Sequence, residues 1–443
     1  MKHVGLGPAA LVLCAVVLLS ADQVSSLVSN SPSMNGSFHF HTFLQLVTLS
    51  SLLFIRTAES FSWLIPPQPA GLSPLAIEEL ARKRYGVHGD SSPMEGRVVA
   101  CTGAAGGIGR ALTAVCHGLG ATVVAMDRNT TGLDELKQSL EGGGNNDEQK
   151  AIPCSTSSAR IITLPTRHED LASVSQSAEE ILSRFERIDL LINNAGMTYR
   201  EEAELGSSAM ISVHGYDLAF TVNYLSHVLL VEKLMPALSS SPESRIVHLT
   251  STYHWKVDGT DLVPNPIPIA YESDKNLVSP KHKERSYGNT KLAQIWHSRS
   301  IKGCESVCAC PTWVGTGIGG EEARDFLERL AFPVEGAGIA STLNAMFRSS
   351  VELSNALNDG DCLVANSRIL EYLPFKKVWT SEWVTKMGWR DGIVDFGGLI
   401  LLLGQRYTFE DFLIQRSSPE SYGNREARDA FYKWSLKEVE PWL

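Results

Sequence analysis

Positive charge is what this chain is short of. Lys and Arg number 39 against 49 Asp and Glu, a formal net charge of −10 with a pI near 5.7. Phosphate backbones are held by concentrated cationic surface, so nucleic acid is excluded as a partner. The one tight basic cluster in the first hundred residues, Arg82, Lys83 and Arg84, reads as a solvated helix face or as a membrane-surface contact. Cysteine is sparse too. Eight in 443 residues cannot make a disulfide framework. Cys304, Cys308 and Cys310 lie close together, but no histidine follows at a zinc-site interval. They are expected to be buried thiols acting as small apolar side chains, and no metal site is expected. Internal repeats are absent as well.

What is present begins with an unusual amino-terminal stretch. Lys2 precedes an apolar run over residues 4–19 and then Ser20, Ala21 and Asp22, the layout of a signal peptide. A second apolar run, residues 43–55, falls short of the roughly 20 helical residues that span a bilayer core. Two destinations fit. One is the endoplasmic reticulum or another endomembrane, with the second run dipping into the lipid. The other is a plastid reached through a two-part address, since residues 58–61 loosely resemble the cleavage region used by algae with complex plastids. The bland reading is a misassigned start codon.

The remainder divides at composition shifts. Residues 1–60 are read as the signal and hydrophobic targeting or anchor segment, and residues 61–93 as a proline-rich linker with a short charged helix. Residues 94–375 are read as the main folded domain, and 376–443 as a carboxy-terminal extension of helical periodicity. Within that extension, residues 393–403 are either a membrane-docking element or a buried helix. Residues 141–160 are rich in Gly, Ser and polar side chains and read as a disordered surface loop.

From Arg97 short apolar runs alternate with helical stretches. Strands that are apolar throughout, each followed by a helix, predict an α/β fold: a doubly wound parallel sheet of Rossmann type, flanked by helices. The turn after the first strand runs Thr102, Gly103, Ala104, Ala105, Gly106, Gly107, Ile108, Gly109. Glycines there let the backbone approach a pyrophosphate at the positive end of the following helix. At the end of the second strand stands Asp127, followed by Arg128. A carboxylate there suits the ribose hydroxyls of NAD and would face the extra phosphate of NADP. Like charges ~4 Å apart cost about 4 kcal/mol at an effective dielectric of 20. Arg128 pulls toward NADP, because arginine clamps phosphate. NAD is favoured and NADP stays open.

The motif TGxxxGIG, formed by Thr102, Gly103, Gly107, Ile108 and Gly109, resembles that of the short-chain dehydrogenase/reductase family. So does Asn193-Asn194-Ala195-Gly196, a turn that lies along the cofactor in that family. The resemblance runs from about residue 97 to 346 and more loosely to the end. It implies a catalytic set of Asn223, Ser251, Tyr287 and Lys291, the last two spaced to share one helical face. A tyrosine's ordinary pKa is ~10, and a neighbouring ammonium favours its phenolate. Tyr287 would then exchange a proton with the substrate oxygen and Ser251 would hold that oxygen. Lys291 would bind the nicotinamide ribose, and Asn223 would hold a water linking Lys291 to solvent. Val314 and Thr316 match positions that contact the nicotinamide carboxamide.

Two departures from the family pattern stand out. Thr312 replaces a glycine, which leaves the local turn open. Arg167 occupies the place of an adenine-contacting Asp, with Asp170 as a substitute. His227 and His254 are read as packing or surface residues. The long segment between Ser251 and Tyr287 is similar to that of the retinol- and hydroxysteroid-dehydrogenase branch, which implies a small hydrophobic alcohol or carbonyl, membrane association and commonly a homodimer. A glycan at Asn129, an acceptor by sequence, would obstruct the adenosine site, which favours a domain in the cytosol or a plastid over one in the lumen. The alternative function is a catalytically silent NAD(P)-binding sensor or a membrane-tethered interaction protein, against which the intact Tyr287 and Lys291 count.

Overall fold

The sheet is built from strands buried on both faces. β1 (Val98–Thr102), β4 (Leu190–Asn193) and β5 (Arg245–Leu249) are buried at every residue. With β2 (Thr122–Asp127), β3 (Arg160–Pro165), β6 (Glu305–Cys310), β7 (Leu363–Ser367) and β8 (Phe409–Ile414) they form an eight-stranded sheet in the order β3-β2-β1-β4-β5-β6-β7-β8. The registers from β3 across to β7 are all parallel. Parallel strands need helices on both faces, which is why their sequences are apolar without alternation.

The computed structural model describes residues 67–142, 159–198, 211–262, 280–316, 331–356, 363–367, 404–414 and 417–443. The readings placed on residues 1–60 and 393–403, and on most of the 141–160 loop, fall outside these. The chain forms two compact units, Met1–Gln68 with Ser381–Phe409, and Pro69–Thr380 with Glu410–Leu443. The candidate site lies wholly in the second. Among the described residues no helix is long and apolar enough to cross a membrane.

Alternate residues of β1 feed two separate cores, as the two-residue period of a strand requires. Val99 and Cys101 pack with Ile108 and Leu112 of α2 (Gly107–Gly118) and Leu343 of α7 (Ile339–Phe347). Val98 and Ala100 pack with Leu171 of α4 (Leu171–Arg184), Val228 of α5 (Ser226–Ser239) and Leu292 of α6 (Pro280–Ser300). α3 (Thr130–Glu141) follows β2, and its N-cap is Asn129, whose Oδ1 accepts from Gly132 N at 3.0 Å. α8 (Ser350–Ala356) precedes β7.

Three helices outside the alternating core close its flanks. α1 (Pro74–Tyr85) starts on a Ser73 cap with Pro74 in its first turn and stops at Gly86, whose φ is 62°. It buries Ile77, Ala81 and Tyr85 in the first core. Its basic cluster is spent on internal partners: Arg82 on Glu78 at 2.7 Å, Lys83 on Glu352 at 2.7 Å and Arg84 on Glu305 at 3.1 Å. α9 (Pro419–Gly423) and α10 (Arg425–Val439) cover the second core, where Phe431 stacks on Tyr224 with ring centroids 5.1 Å apart.

Strand order reverses between β1 and β4. In open parallel sheets, ligands bind outside the carboxyl ends of the strands at such a switch point. The glycine turn leaves β1 there, Asn194 to Gly196 leave β4, Ser251 follows β5, and Pro311 to Thr316 follow β6.

Candidate active site and cofactor cleft

The glycine turn and the β4 turn are locked to one another by a single hydroxyl. Thr102 Oγ1 accepts the backbone N–H groups of Asn194 and Ala195, each at 2.9 Å. Asn194 Nδ2 answers by donating to the carbonyls of Thr102 at 2.8 Å and Gly103 at 3.1 Å. A Cβ on Gly109 would stand 2.1 Å from Gly103 O, so only glycine lets α2 start this close to the turn. Ile108 is buried behind it. Thr316 arrives from the loop after β6, its Cγ2 3.2 Å from where a Gly107 Cβ would be. Val314 is held by a bridge to Phe332, with Gly315 N donating to Phe332 O at 3.0 Å.

A dinucleotide fits this cradle. Among the described residues a side chain on Gly106 would meet nothing within 4 Å, which leaves room in front of the α2 amino terminus. Asp127 closes one side. Its Oδ2 accepts from Ala105 N at 3.0 Å and its Oδ1 from Asn129 N at 2.8 Å, which fixes the carboxylate beside the turn while leaving lone pairs for ribose hydroxyls. Arg128 is exposed next to it. Asp170 caps α4, with Oδ1 accepting from Ala172 N at 3.0 Å. Arg167 is exposed and lies 3.4 Å from Glu169.

The reacting end is assembled from three elements. The segment before α5 runs through a short helix, Leu218–Phe220, and a π-type turn, Thr221–Leu225, which carries the fully buried Asn223. π turns recur at functional sites because they re-aim one residue of a helix. Asn223 Oδ1 accepts from Met197 N at 2.8 Å and its Nδ2 donates to Met197 O at 3.0 Å, so it braces the chain leaving Gly196. A Cβ on Gly196 would lie 3.4 Å from Asn223 Oδ1 and 3.7 Å from Lys291 Nζ. Asn223, Gly196 and Lys291 therefore converge.

Tyr287 and Lys291 lie one turn apart on α6, with Lys291 Nζ 5.4 Å from the centre of the Tyr287 ring. Tyr287 is partly exposed, whereas Lys291 is buried and donates to Leu249 O at 3.0 Å and Gln294 Oε1 at 3.2 Å. Burial lowers its pKa to about 8, against a smaller opposing pull from Cys310 and Cys308. Ser251 caps the 3-10 turn Thr252–Lys256, its Oγ accepting from Tyr253 N at 3.4 Å. That turn presses on α6 where Gly288 has no side chain. A Cβ there would meet Tyr253 O and Val257 Cγ1, both at 2.9 Å. The contact sets the Tyr253 ring edge-on to Tyr287, centroids 5.3 Å apart.

Three features escaped the sequence reading. The backbone carbonyl of Asn223, the residue expected to hold a relay water, receives Gln294 Nε2 at 2.8 Å and His227 Nδ1 at 3.1 Å. Only the offset of three residues from Lys291, on the same helical face, signalled Gln294. His227 and His254 are both buried, and His227 also joins the polar network, between Asn223 O and Thr102 Oγ1. Thr312 adopts the glycine conformation itself, at φ 60°, and donates to Asn366 Oδ1 at 3.0 Å. Left-handed backbone at a β-branched residue costs about 1–2 kcal/mol, so the turn is kept under strain. Cys308 and Cys310 are buried free thiols, and among the described residues no cluster could hold a metal.

Comparison with known proteins agrees with this geometry. Residues 97–260 match the family model described as short chain dehydrogenase. Retinol dehydrogenase 14 of Mus musculus is 32% identical over 218 residues, 48% of this chain and 58% of that one. The Arabidopsis thaliana dehydrogenase/reductase SDR family member FEY is 30% identical over 50% of this chain and 56% of its own. Estradiol 17-beta-dehydrogenase 11 of Homo sapiens is 26% identical over 62% and 74%. The matched stretch spans somewhat over half the length of the first two relatives.

Proposed function

Because the chain belongs to the short-chain dehydrogenase/reductase family, we propose that it moves a hydride between a nicotinamide dinucleotide and a hydrophobic alcohol or carbonyl. The observation that carries the reading is the pairing of a partly exposed Tyr287 with a buried Lys291 ammonium, beside Gly196 and Asn223 at the switch point of the sheet. A bound nicotinamide supplies or accepts the hydride. This chain's residues do the rest. Tyr287 gives a proton to the carbonyl oxygen during reduction or takes one from the alcohol during oxidation, and the ammonium of Lys291 stabilises its phenolate. Ser251 holds the oxygen on which charge develops. Thr102, Gly103, Gly107, Ile108, Gly109, Asn194, Ala195, Val314 and Thr316 form the walls of the dinucleotide cleft.

Retinoids, steroid ketones and long-chain aldehydes are the substrate class, by analogy with the named retinol and estradiol dehydrogenases. The apolar stretches before residue 60 support delivery to an endomembrane, where such substrates partition. The test is turnover of retinal, a steroid ketone and a fatty aldehyde, each with NADH and with NADPH. Turnover of none, alongside clear NADH binding, would replace this reading with a sensing role.

NAD is the proposed partner, on the strength of Asp127. Asp127→Asn keeps an acceptor for Ala105 N and removes the charge. It is expected to shift the ratio of kcat/KM for NADPH over NADH upward by about tenfold or more, a ΔΔG‡ of roughly 1.4 kcal/mol. An unchanged ratio would hand cofactor choice to Arg128.

A further inference from the structure

Gln294 is buried to 1% exposure on the face of α6 that carries Lys291, and both ends of its amide are used. Oε1 accepts from Lys291 Nζ and Nε2 donates to the Asn223 carbonyl. The reverse orientation would set NH2 against an ammonium and oxygen against a carbonyl, so the partners dictate the amide's direction. The second lone pair of the Asn223 carbonyl takes His227 Nδ1. A carbonyl only accepts, so His227 carries its proton on Nδ1. Its bare Nε2 lies 3.1 Å from Thr102 Oγ1, whose one hydrogen has this nitrogen and Ile192 O, at 3.3 Å, as its acceptors. The threonine oxygen receives Asn194 N and Ala195 N. The hydrogens are thereby assigned from the Lys291 ammonium to His227, and the series continues through Thr102 to the glycine turn.

We propose that Gln294 is a positioning residue of the hydride-transfer site: its amide stands where a relay water would bridge Lys291 to Asn223, clamping the ammonium and tying it through His227 and Thr102 to the cofactor turn. The inference rests on the reaction proposed above. Its consequence is directional. With both lone pairs of the Asn223 carbonyl occupied, Lys291 has no water path through that atom. Of its three hydrogens, two go to Leu249 O and Gln294 Oε1, which leaves one for a group entering the cleft. The titratable groups facing Lys291 are Tyr287 on its own helix, His227 on α5, His248 on β5, and Cys308 and Cys310 on β6. None of them donates to or accepts from Nζ in place of Gln294.

The test compares Gln294→Ala and Gln294→Glu in the full chain, read by the pH profile of kcat and by NMR titration of ε-labelled lysine, with Lys291→Met assigning the signal. Removing the acceptor should move the Lys291 titration and the alkaline limb of the kcat profile down by about one pH unit, with kcat falling near tenfold and cofactor KM changing less than threefold. A carboxylate in the same place should move both upward. A role in packing alone would lower kcat without moving either titration, and that result overturns the proposal. The lysine signal needs no turnover. If it shifts as expected while no carbonyl substrate is reduced, the clamp stands and the reaction reading falls.

Discussion

Tyr287→Phe should abolish turnover, by about 10³-fold or more in kcat, while leaving folding and cofactor binding intact. Positioned proton transfer contributes 10²–10⁴-fold, and phenylalanine keeps the ring while deleting the one oxygen that can exchange a proton with the substrate. The ring itself is only partly buried and meets Tyr253 edge-on, a contact phenylalanine preserves. Fluorescence titration with NADH and a thermal melt are the controls, and each should match the unmodified protein. Residual activity within tenfold would take the proton chemistry away from Tyr287. Lys291→Met is expected to be at least as damaging and less clean. It removes the ammonium and also orphans the Leu249 carbonyl and the Gln294 amide oxygen inside the core, at about 1–3 kcal/mol for each unsatisfied group.

A second large effect is acid lability well above the range where carboxylates titrate. His168, His227, His248, His254 and His297 are all buried, and burial holds each below the ordinary imidazole value. His168 and His254 are lowered to about 4 and His297 to about 3. In the unfolded chain these groups protonate near pH 6.5, so below that pH the unfolded state binds protons the native state refuses. Their neutral burial is therefore fully tolerated above pH 6.5, and stability drains as pH falls toward 4. By pH 5 each contributes on the order of 2 kcal/mol of destabilisation, and several together rival the 5–15 kcal/mol that holds a domain folded. The geometry agrees. The Nε2 atoms of His168, His248, His254 and His297 are buried without a hydrogen-bond partner, so a second proton would have nothing to meet. The expected observation is loss of near-ultraviolet circular dichroism with a midpoint between pH 4 and 5.5. His297→Gln should lower that midpoint. Glu352, held near 2 chiefly by the Lys83 ammonium, destabilises only at lower pH and so is separable. A midpoint below pH 4 would mean that these imidazoles accept protons in place.

Much of the architecture was legible because it is encoded locally. An all-apolar strand followed by a glycine turn and an amphipathic helix admits few folds, and the spacing of Tyr287 and Lys291 fixes their shared face regardless of what surrounds them. What the sequence hid is relational. Gln294 is an unremarkable helix residue until Asn223, 71 positions earlier, is packed against it. Nothing in the run before Pro93 told that Arg84 would reach Glu305 or that Tyr85 would enter the core, since a charged helix after a proline-rich stretch has the same pattern when it is free in solution. The histidines were left between packing and surface for a related reason. An imidazole is polar enough to suit a surface and small enough to suit a core, and only tertiary packing decides between them. Thr312 is the opposite case. The missing glycine was visible, but whether the turn or the residue would yield depended on Asn366, which supplies the hydrogen bond holding the strained turn.

The way α1 is fastened has a practical corollary for anyone preparing the protein. A recombinant fragment trimmed to the first sheet residue would discard Ile77, Ala81 and Tyr85 and uncover the apolar ground beneath them, inviting aggregation. Glu305, shared by Arg84 and the fully enclosed Arg245, would lose half its countercharge. Preparations beginning near Pro69 keep that fastening and those beginning at Pro93 do not. An inactive, poorly soluble product from the shorter version would speak to the trimming and not to the chemistry.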